Sequence, residues 1–278
     1  NVSTRDFKWT TNLTFTTYKD RWKERTPDWK PGVYERVDDP IRPIYTRLAD
    51  HILQIGEQVP DAQPLLRPGE LVIKDINGYR RDANKQPIVD ENGRFVLTGE
   101  PDGLIDDADN VLLGSQDPSW LAGITNTFKY KDFDLNIQLN GMFGRRMQDP
   151  TEMAYGLGGG DLARYGYNAL RKIKDRWTWD NPSTTQPTSF NGWGNNYTSG
   201  DWYYQRAWFI RLTNISFGWT LPKAWIARTK VLSRVRLSLS ANNLFCITPY
   251  KGLDPETDYY AASYPNARTY SMGINVTF

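Results

Sequence analysis

The 278 residues carry 34 Lys and Arg against 32 Asp and Glu, and this near-zero balance, without any basic block, excludes nucleic acid as an expected partner. One Cys cannot form an internal disulfide, and no run of about 18 apolar residues offers a membrane-crossing helix. Aromatic residues reach 14% in a chain that is only 39% hydrophobic, a high share for an ordinary soluble domain. The start at Asn1 rather than Met is expected of a mature product or a fragment.

The first predicted element is a strand over residues 4–18. Phe7, Trp9, Leu13 and Phe15 fall on one face, with Lys8, Thr10, Asn12 and Thr14 between them. After a long connection, 19–118, a weaker alternation through Ala122, Ile124 and Phe128 predicts a strand over 119–130. Only residues 131–132 separate it from 133–146, where Phe133, Leu135, Ile137, Leu139 and Phe143 oppose Asp134, Asn136, Gln138 and Asn140. A second long connection, 147–205, leads to 206–220. That strand shifts register near Leu212 and Thr213, then places Ile215, Phe217 and Trp219 together. The span 232–246 sets Val235, Leu237, Leu239 and Ala241 against Arg236, Ser238, Ser240 and Asn242. The last span, 266–278, sets Tyr270, Met272, Ile274, Val276 and Phe278 against Ser271, Gly273, Asn275 and Thr277.

These spans are longer than the strands of about 5–6 residues usual in soluble proteins, and they match the roughly 9–11 residues needed to cross a bilayer. One face is apolar and the other wet, as in a barrel that faces lipid outward. The connections alternate: 131–132 and 221–231 are short, while 19–118, 147–205 and 247–265 are long. The expected fold class is therefore all-β: a transmembrane antiparallel outer-membrane β-barrel with periplasmic turns and long, largely irregular extracellular loops. A soluble β-sandwich is the rival, and it gives no reason for such long connections on one edge. Six strands are too few to close a barrel, so the chain is expected to be the C-terminal portion of a larger one whose missing strands precede Asn1.

Chemistry-bearing candidates are few. Asp75 and Asn77, in Lys74-Asp-Ile-Asn-Gly78, combine with Asp102, Asp106 and Asp109 to give the oxygen-ligand order of an EF-hand-like Ca2+ loop. The intervening residues 79–100 interrupt it, and Asp109 stands where a bidentate Glu is usual. Flexible insertion is cheap in closure entropy, at about 0.6 kcal/mol per doubling of loop length, so the halves can still converge. The alternative is an acidic turn without metal. Trp193, Tyr197, Trp202, Tyr203 and Tyr204 are candidate substrate contacts, since their rings stack on sugars, although such residues also pack loop bases or form membrane-interface girdles. His51 and Cys246 lack companions in sequence, and Gly158-Gly-Gly-Asp161 reads as a loop tip rather than a phosphate cradle. Asp106 and Asp107 are adjacent, so their side chains diverge and make a poor acid/base pair. No catalytic constellation emerges, and an enzyme is not expected.

Five stretches, in order, carry a family resemblance: Arg176-Trp-Thr-Trp-Asp-Asn-Pro-Ser-Thr-Thr-Gln-Pro187, Phe209-Ile-Arg-Leu-Thr-Asn-Ile-Ser-Phe-Gly-Trp-Thr-Leu-Pro222, Asn242-Asn-Leu-Phe245, Tyr250-Lys-Gly-Leu-Asp-Pro-Glu256 and Tyr264-Pro-Asn-Ala-Arg-Thr-Tyr270. From about Leu71 onward the chain resembles the C-terminal part of a SusC/RagA-like TonB-dependent outer-membrane transporter of Bacteroidetes. The resemblance implies a 22-stranded barrel in the cell outer membrane, with an N-terminal plug and a TonB-binding segment outside this chain. It implies a SusD-like surface lipoprotein as lid, TonB with ExbB and ExbD as energy source, and import of oligosaccharides or peptides. It also implies that the acidic loop is usually uninterrupted, and that Phe278 is an assembly signal read by the barrel-assembly machinery. The alternative reading is a barrel that serves as a surface receptor or adhesin through its long loops.

Overall fold

In the computed structural model, the period-two segments join into one antiparallel sheet. The structure describes residues 1–24, 26–28, 32, 34–36, 38–91, 94–149, 152, 155–156, 166, 168–188, 200–257 and 264–278. In chain order the strands are β1 (Val2–Ser3), β2 (Phe7–Thr17), β3 (Pro43–Thr46), β4 (Ala49–Ile52), β5 (Leu71–Ile73), β6 (Val111–Ser115), β7 (Trp120–Tyr130), β8 (Phe133–Phe143), β9 (Arg146–Gln148), β10 (Tyr204–Arg206), β11 (Phe209–Thr220), β12 (Arg234–Asn242), β13 (Cys246–Ile247) and β14 (Thr269–Thr277). The main sheet runs β1-β2-β7-β8-β11-β12-β14, with β13 also on β11. Its six long strands lie inside the six predicted spans, and each is shorter than its span.

Register turns the sequence alternation into two continuous surfaces. Trp9, Phe128, Leu135, Phe217, Leu239 and Met272 are successive cross-strand partners, and so are Phe7, Tyr130, Phe133, Trp219, Leu237 and Ile274. The opposite face carries rows such as Thr10, Thr127, Asn136, Ser216, Ser240 and Ser271. Leu13, Phe15, Leu239, Met272 and Ile274 are all more than half exposed, so among the described residues nothing covers this part of the apolar face. On the polar face Arg236 donates both Nη atoms to Asp134, at 2.5 and 2.8 Å. The pair spans Gly218, where an added Cβ would meet the Arg236 Nη2 at 2.2 Å; only the bare backbone leaves the ion pair its place.

Aromatic stacking marks both ends of the strands. Trp120, Phe143 and Trp208 stack at one end, with centroids 3.8 and 6.1 Å apart, and Phe133 stacks on Trp219 at the other, at 5.8 Å. Phe133 and Phe143 bound the same strand, β8. Ten steps of about 3.4 Å, tilted by about 40–45°, span roughly 25 Å, the height of the apolar band of an outer-membrane barrel. The register shift expected near Leu212 is a β-bulge between Leu212 and Asn214. Opposite it, β12 breaks at Asn243, whose φ of +52° lies in the left-handed region.

The core sits in the connections rather than between sheets. Ile52 and Leu71 of 19–118 pack with Trp177 and Tyr203 of 147–205. A second cluster joins Leu53, Leu66 and Val72, and a third joins Met147, Ala207 and Tyr250. Two-stranded ribbons β3–β6, β4–β5 and β9–β10 brace these clusters. Most of their described residues lie outside helices and strands, yet burial of large apolar side chains makes the long connections fold on one another. The short connection 221–231 holds a helical turn, Lys223–Ile226, and a 3-10 turn, Ala227–Thr229.

Candidate functional site

The acidic loop is brought together by the segment that interrupts its sequence. Residues 79–91 and 94–98 pair antiparallel through bridges Tyr79 to Leu97, Arg81 to Pro87 and Val89 to Phe95. Asp82 Oδ1 accepts from the amides of Asn84 and Gln86, at 2.8 and 2.9 Å, and Asp90 Oδ1 accepts from Arg94, at 2.9 Å. These side-chain-closed turns return the chain so that the Thr98 amide donates to the Gly78 carbonyl at 2.9 Å. The described part of the segment is therefore bridged across its arms and not the loose insertion expected from its length. Asp82 preceding the Asn84 turn was the available signal.

Within the joined loop, oxygens meet amides. Asp75 accepts from Asp102 N and Gly103 N, at 3.1 and 2.6 Å. Asp109 is fully buried and accepts from Ile76, Asn77 and Asp106, at 2.8, 3.2 and 2.9 Å. Asn77 Oδ1 accepts from Gly99 N at 3.0 Å, and Asp106 Oδ1 caps the Ala108 amide at 2.7 Å. Asp102 Cβ lies where a side chain at Gly78 would begin, at 2.5 Å, so the close approach requires that glycine. The five sequence-predicted ligands thus lie in one loop and close it through separate backbone amides. Among the described residues, however, no three Asp, Glu, His or Cys side chains are grouped to hold a metal ion. Burial, and then the fields of Asp106, Asp107, Asp102 and Asp109, push the Tyr79 phenol above its ordinary pKa.

The aromatic candidates separate. Trp193 and Tyr197 lie outside the described residues. Trp202 packs partly buried against the first loop cluster, and Tyr203 is a member of it at 3% exposure, so Tyr203 is core and offers no ring face to a ligand in this conformation. Tyr204 instead lines a cavity of about 210 Å3 with Arg42, Arg145, Arg146 and Gln148. Sequence reading missed Trp179, which is 67% exposed beside a cavity of about 340 Å3 lined also by Arg67, Arg176 and Thr188. It also missed the buried pair Arg211–Asp254, at 2.5 Å, which fastens the third loop to β11. Asp254 Oδ2 accepts from Asn266 N at 2.9 Å, and Arg211 Nε also meets Glu256 at 3.1 Å. His51 is not isolated: Nδ1 lies 3.0 Å from Asp50 and Nε2 lies 2.6 Å from Glu57.

No family model matches the chain. Over all of its length it is 27% identical to the "TonB-dependent receptor P3" of Formosa agariphila, of which it covers 27%. Over 69% of its length it is 26% identical to the "TonB-dependent receptor SusC" of Bacteroides thetaiotaomicron, of which it covers 19%. The solved structure of the RagAB peptide transporter aligns with all of this chain at a TM-score of 0.71 and 20% identity, through 28% of its own chain. The chain therefore spans about a quarter of the length of the proteins it matches. Its sequence is similar to SusC-type TonB-dependent receptors, and its fold is that of a segment of an outer-membrane β-barrel. These relatives are receptors and transporters rather than enzymes, in line with the sequence expectation.

Proposed function

We propose that the chain is part of a SusC-like outer-membrane nutrient importer that takes up oligosaccharides or peptides under a SusD-like lipoprotein lid, energised through TonB, ExbB and ExbD. The observation that carries this reading is the sheet itself. Six long antiparallel strands have one uncovered apolar face and one polar face, and they superpose on a chain of a peptide transporter over their whole extent. A polar inner wall bounds an aqueous path, while the loop clusters form a folded cap where a solute first meets the protein. In this orientation the long loops face outward. A cysteine at Leu65, which is 89% exposed, would be labelled on intact cells, and one at Lys223 would not; the reverse would overturn the orientation.

The functional test is uptake of labelled oligosaccharides and peptides by cells with and without TonB, together with co-purification of a surface lipoprotein. Binding without TonB-dependent uptake would favour the surface-receptor reading. Calcium at the acidic loop is a second, separate proposal, supported by the oxygen-ligand order of Asp75, Asn77, Asp102, Asp106 and Asp109 in one loop. Terbium luminescence that Ca2+ displaces from the full-length protein, and that Asp75→Asn removes, supports it. The absence of a signal leaves the loop as a turn closed by backbone amides.

A further inference from the structure

Where the three long loops meet the end of β8, arginines gather. Arg42 comes from the first loop, Arg145 and Arg146 follow β8, and Arg145 Nη1 donates to the Pro255 carbonyl of the third loop at 3.3 Å. With Gln116, Gln148 and Tyr204 they line the cavity of about 210 Å3. Asp117 offsets one of these charges, at 3.0 Å from Arg42, whose other Nη donates to Gln116. Arg145 is buried to 7% exposure.

The ribbon β9–β10 adds a second, independent feature. Arg146 and Arg206 are direct cross-strand partners, two positions along from the pair Gln148–Tyr204, so both pairs share one face. Like charges directly opposite in a ladder are destabilising, and neither Arg146 nor Arg206 enters an ion pair among the described residues. Guanidinium stays charged at any accessible pH, and its planar fork matches carboxylate, sulfate and phosphate oxygens. A partly enclosed site walled by such groups is stabilised when an anion enters it. At about 210 Å3 the space suits one charged group and not a whole oligomer.

We propose that this cavity is an anion subsite, which holds a carboxylate or sulfate group of the incoming solute at the loop end of the barrel. The proposal rests on the import reading above and narrows it to acidic solutes.

The test uses full-length protein purified with its lipoprotein partner and compares trigalacturonate, triaspartate, inorganic sulfate and neutral maltotriose. An anionic probe should bind about tenfold tighter than maltotriose, and the advantage should shrink as salt rises. Trigalacturonate against triaspartate separates an acidic glycan from an acidic peptide, and sulfate reports the bare oxyanion. Arg146→Gln with Arg206→Gln should abolish the advantage, Arg146→Lys should keep part of it, and Arg206→Gln alone, at an exposed position, guards against misfolding. Equal binding of charged and neutral probes, or an advantage untouched by the double variant, overturns the subsite. Undiminished uptake of neutral solute alongside that result sinks the subsite alone. Anion binding without any TonB-dependent uptake sinks the import reading instead.

Discussion

Asn243 shows how a motif legible as letters acquires a physical reason. Asn242-Asn-Leu-Phe245 stands out in the sequence, but nothing there says why two asparagines recur. In the structure Asn242 bonds sideways to Asn214 and Thr269, at 2.8 and 3.0 Å, tying three strands together. Asn243 turns left-handed at φ +52° and donates Nδ2 to the Ala267 carbonyl at 3.1 Å. Asn243→Val should destabilise the barrel by about 1–3 kcal/mol, because a β-branched residue resists that conformation. Asn243→Gly should cost less, since it keeps the turn and loses only the side-chain bond; urea unfolding of the full-length protein would rank the two. His51 gives a pH prediction. Burial disfavours its charge, but hydrogen bonds to Asp50 and Glu57 outweigh that and raise its pKa. Asp50 is lowered by the His51 hydrogen bond and by Lys74, and Glu57 by the Gln54 amide and then His51. The imidazolium therefore adds local stability that is complete below the unfolded value near 6.5 and disappears as pH rises through the higher folded pKa. The two carboxylates add stability that is present above about pH 4–4.5 and is lost as pH falls through their lower folded values. Protection factors of the Leu53 and Gln54 amides, with the intrinsic base catalysis of exchange removed, should be highest between those limits and fall above neutrality. His51→Gln should flatten the alkaline limb, and a profile unchanged by that variant would remove His51 from the account.

At the scale of elements, what the sequence told and what it hid divide along periodicity. A strand with one face in lipid must alternate, so β2, β8, β12 and β14 could be read directly, and the bulge at Leu212 appeared as a break in the alternation. The loop core could not be read, because Ile52 and Trp177 lie 125 positions apart and no local period links them. For the same reason Tyr203 looked like a free aromatic and proved to be core. The arginine cavity was hidden too, since its members come from separate loops. The two faces of β12 offer the sharpest check. Leu239 points out, 53% exposed, between Phe217 and Met272, whereas Ser240 faces the polar interior between Ser216 and Ser271. Leu239→Arg should destabilise the folded barrel by about 2–4 kcal/mol if its level is near the bilayer middle. Ser240→Arg, one residue along, should stay within roughly 0.5 kcal/mol, because it meets water and small neighbours. Position 275 would be a poorer control, since it lies opposite Arg236 and an added Arg would create a like-charge pair. Equal harm from the two changes in β12 would contradict a one-sided lipid face.

At the scale of the whole molecule, the sheet cannot stand alone in a membrane. β2 is flanked on one side only by the two residues of β1, and β14 pairs with β12 alone among the described residues. Each backbone group left unpaired in hydrocarbon costs several kcal/mol, so a lipid-embedded form requires further strands at both edges. Any strand added beside β14 must be aligned on it, which gives the residues at this edge weight beyond their packing. Phe278 is 80% exposed, and its carbonyl accepts from Ser233 Oγ at 3.2 Å, which holds the strand end against the residue that leads into β12. Loss of the ring removes at most about 1.5–3 kcal/mol of burial, too little to unfold a finished barrel of many strands. If the ring is read during assembly, the damage falls earlier, on the number of molecules that reach the membrane. Phe278→Ser in the full-length protein should therefore lower surface abundance severalfold, while uptake per assembled molecule and resistance to urea stay near wild type. Phe278→Tyr, which keeps an aromatic ring, should restore abundance. Abundance unchanged by Phe278→Ser, or an equal loss with Phe278→Tyr, would show that this ring serves the barrel only as one more lipid-facing side chain.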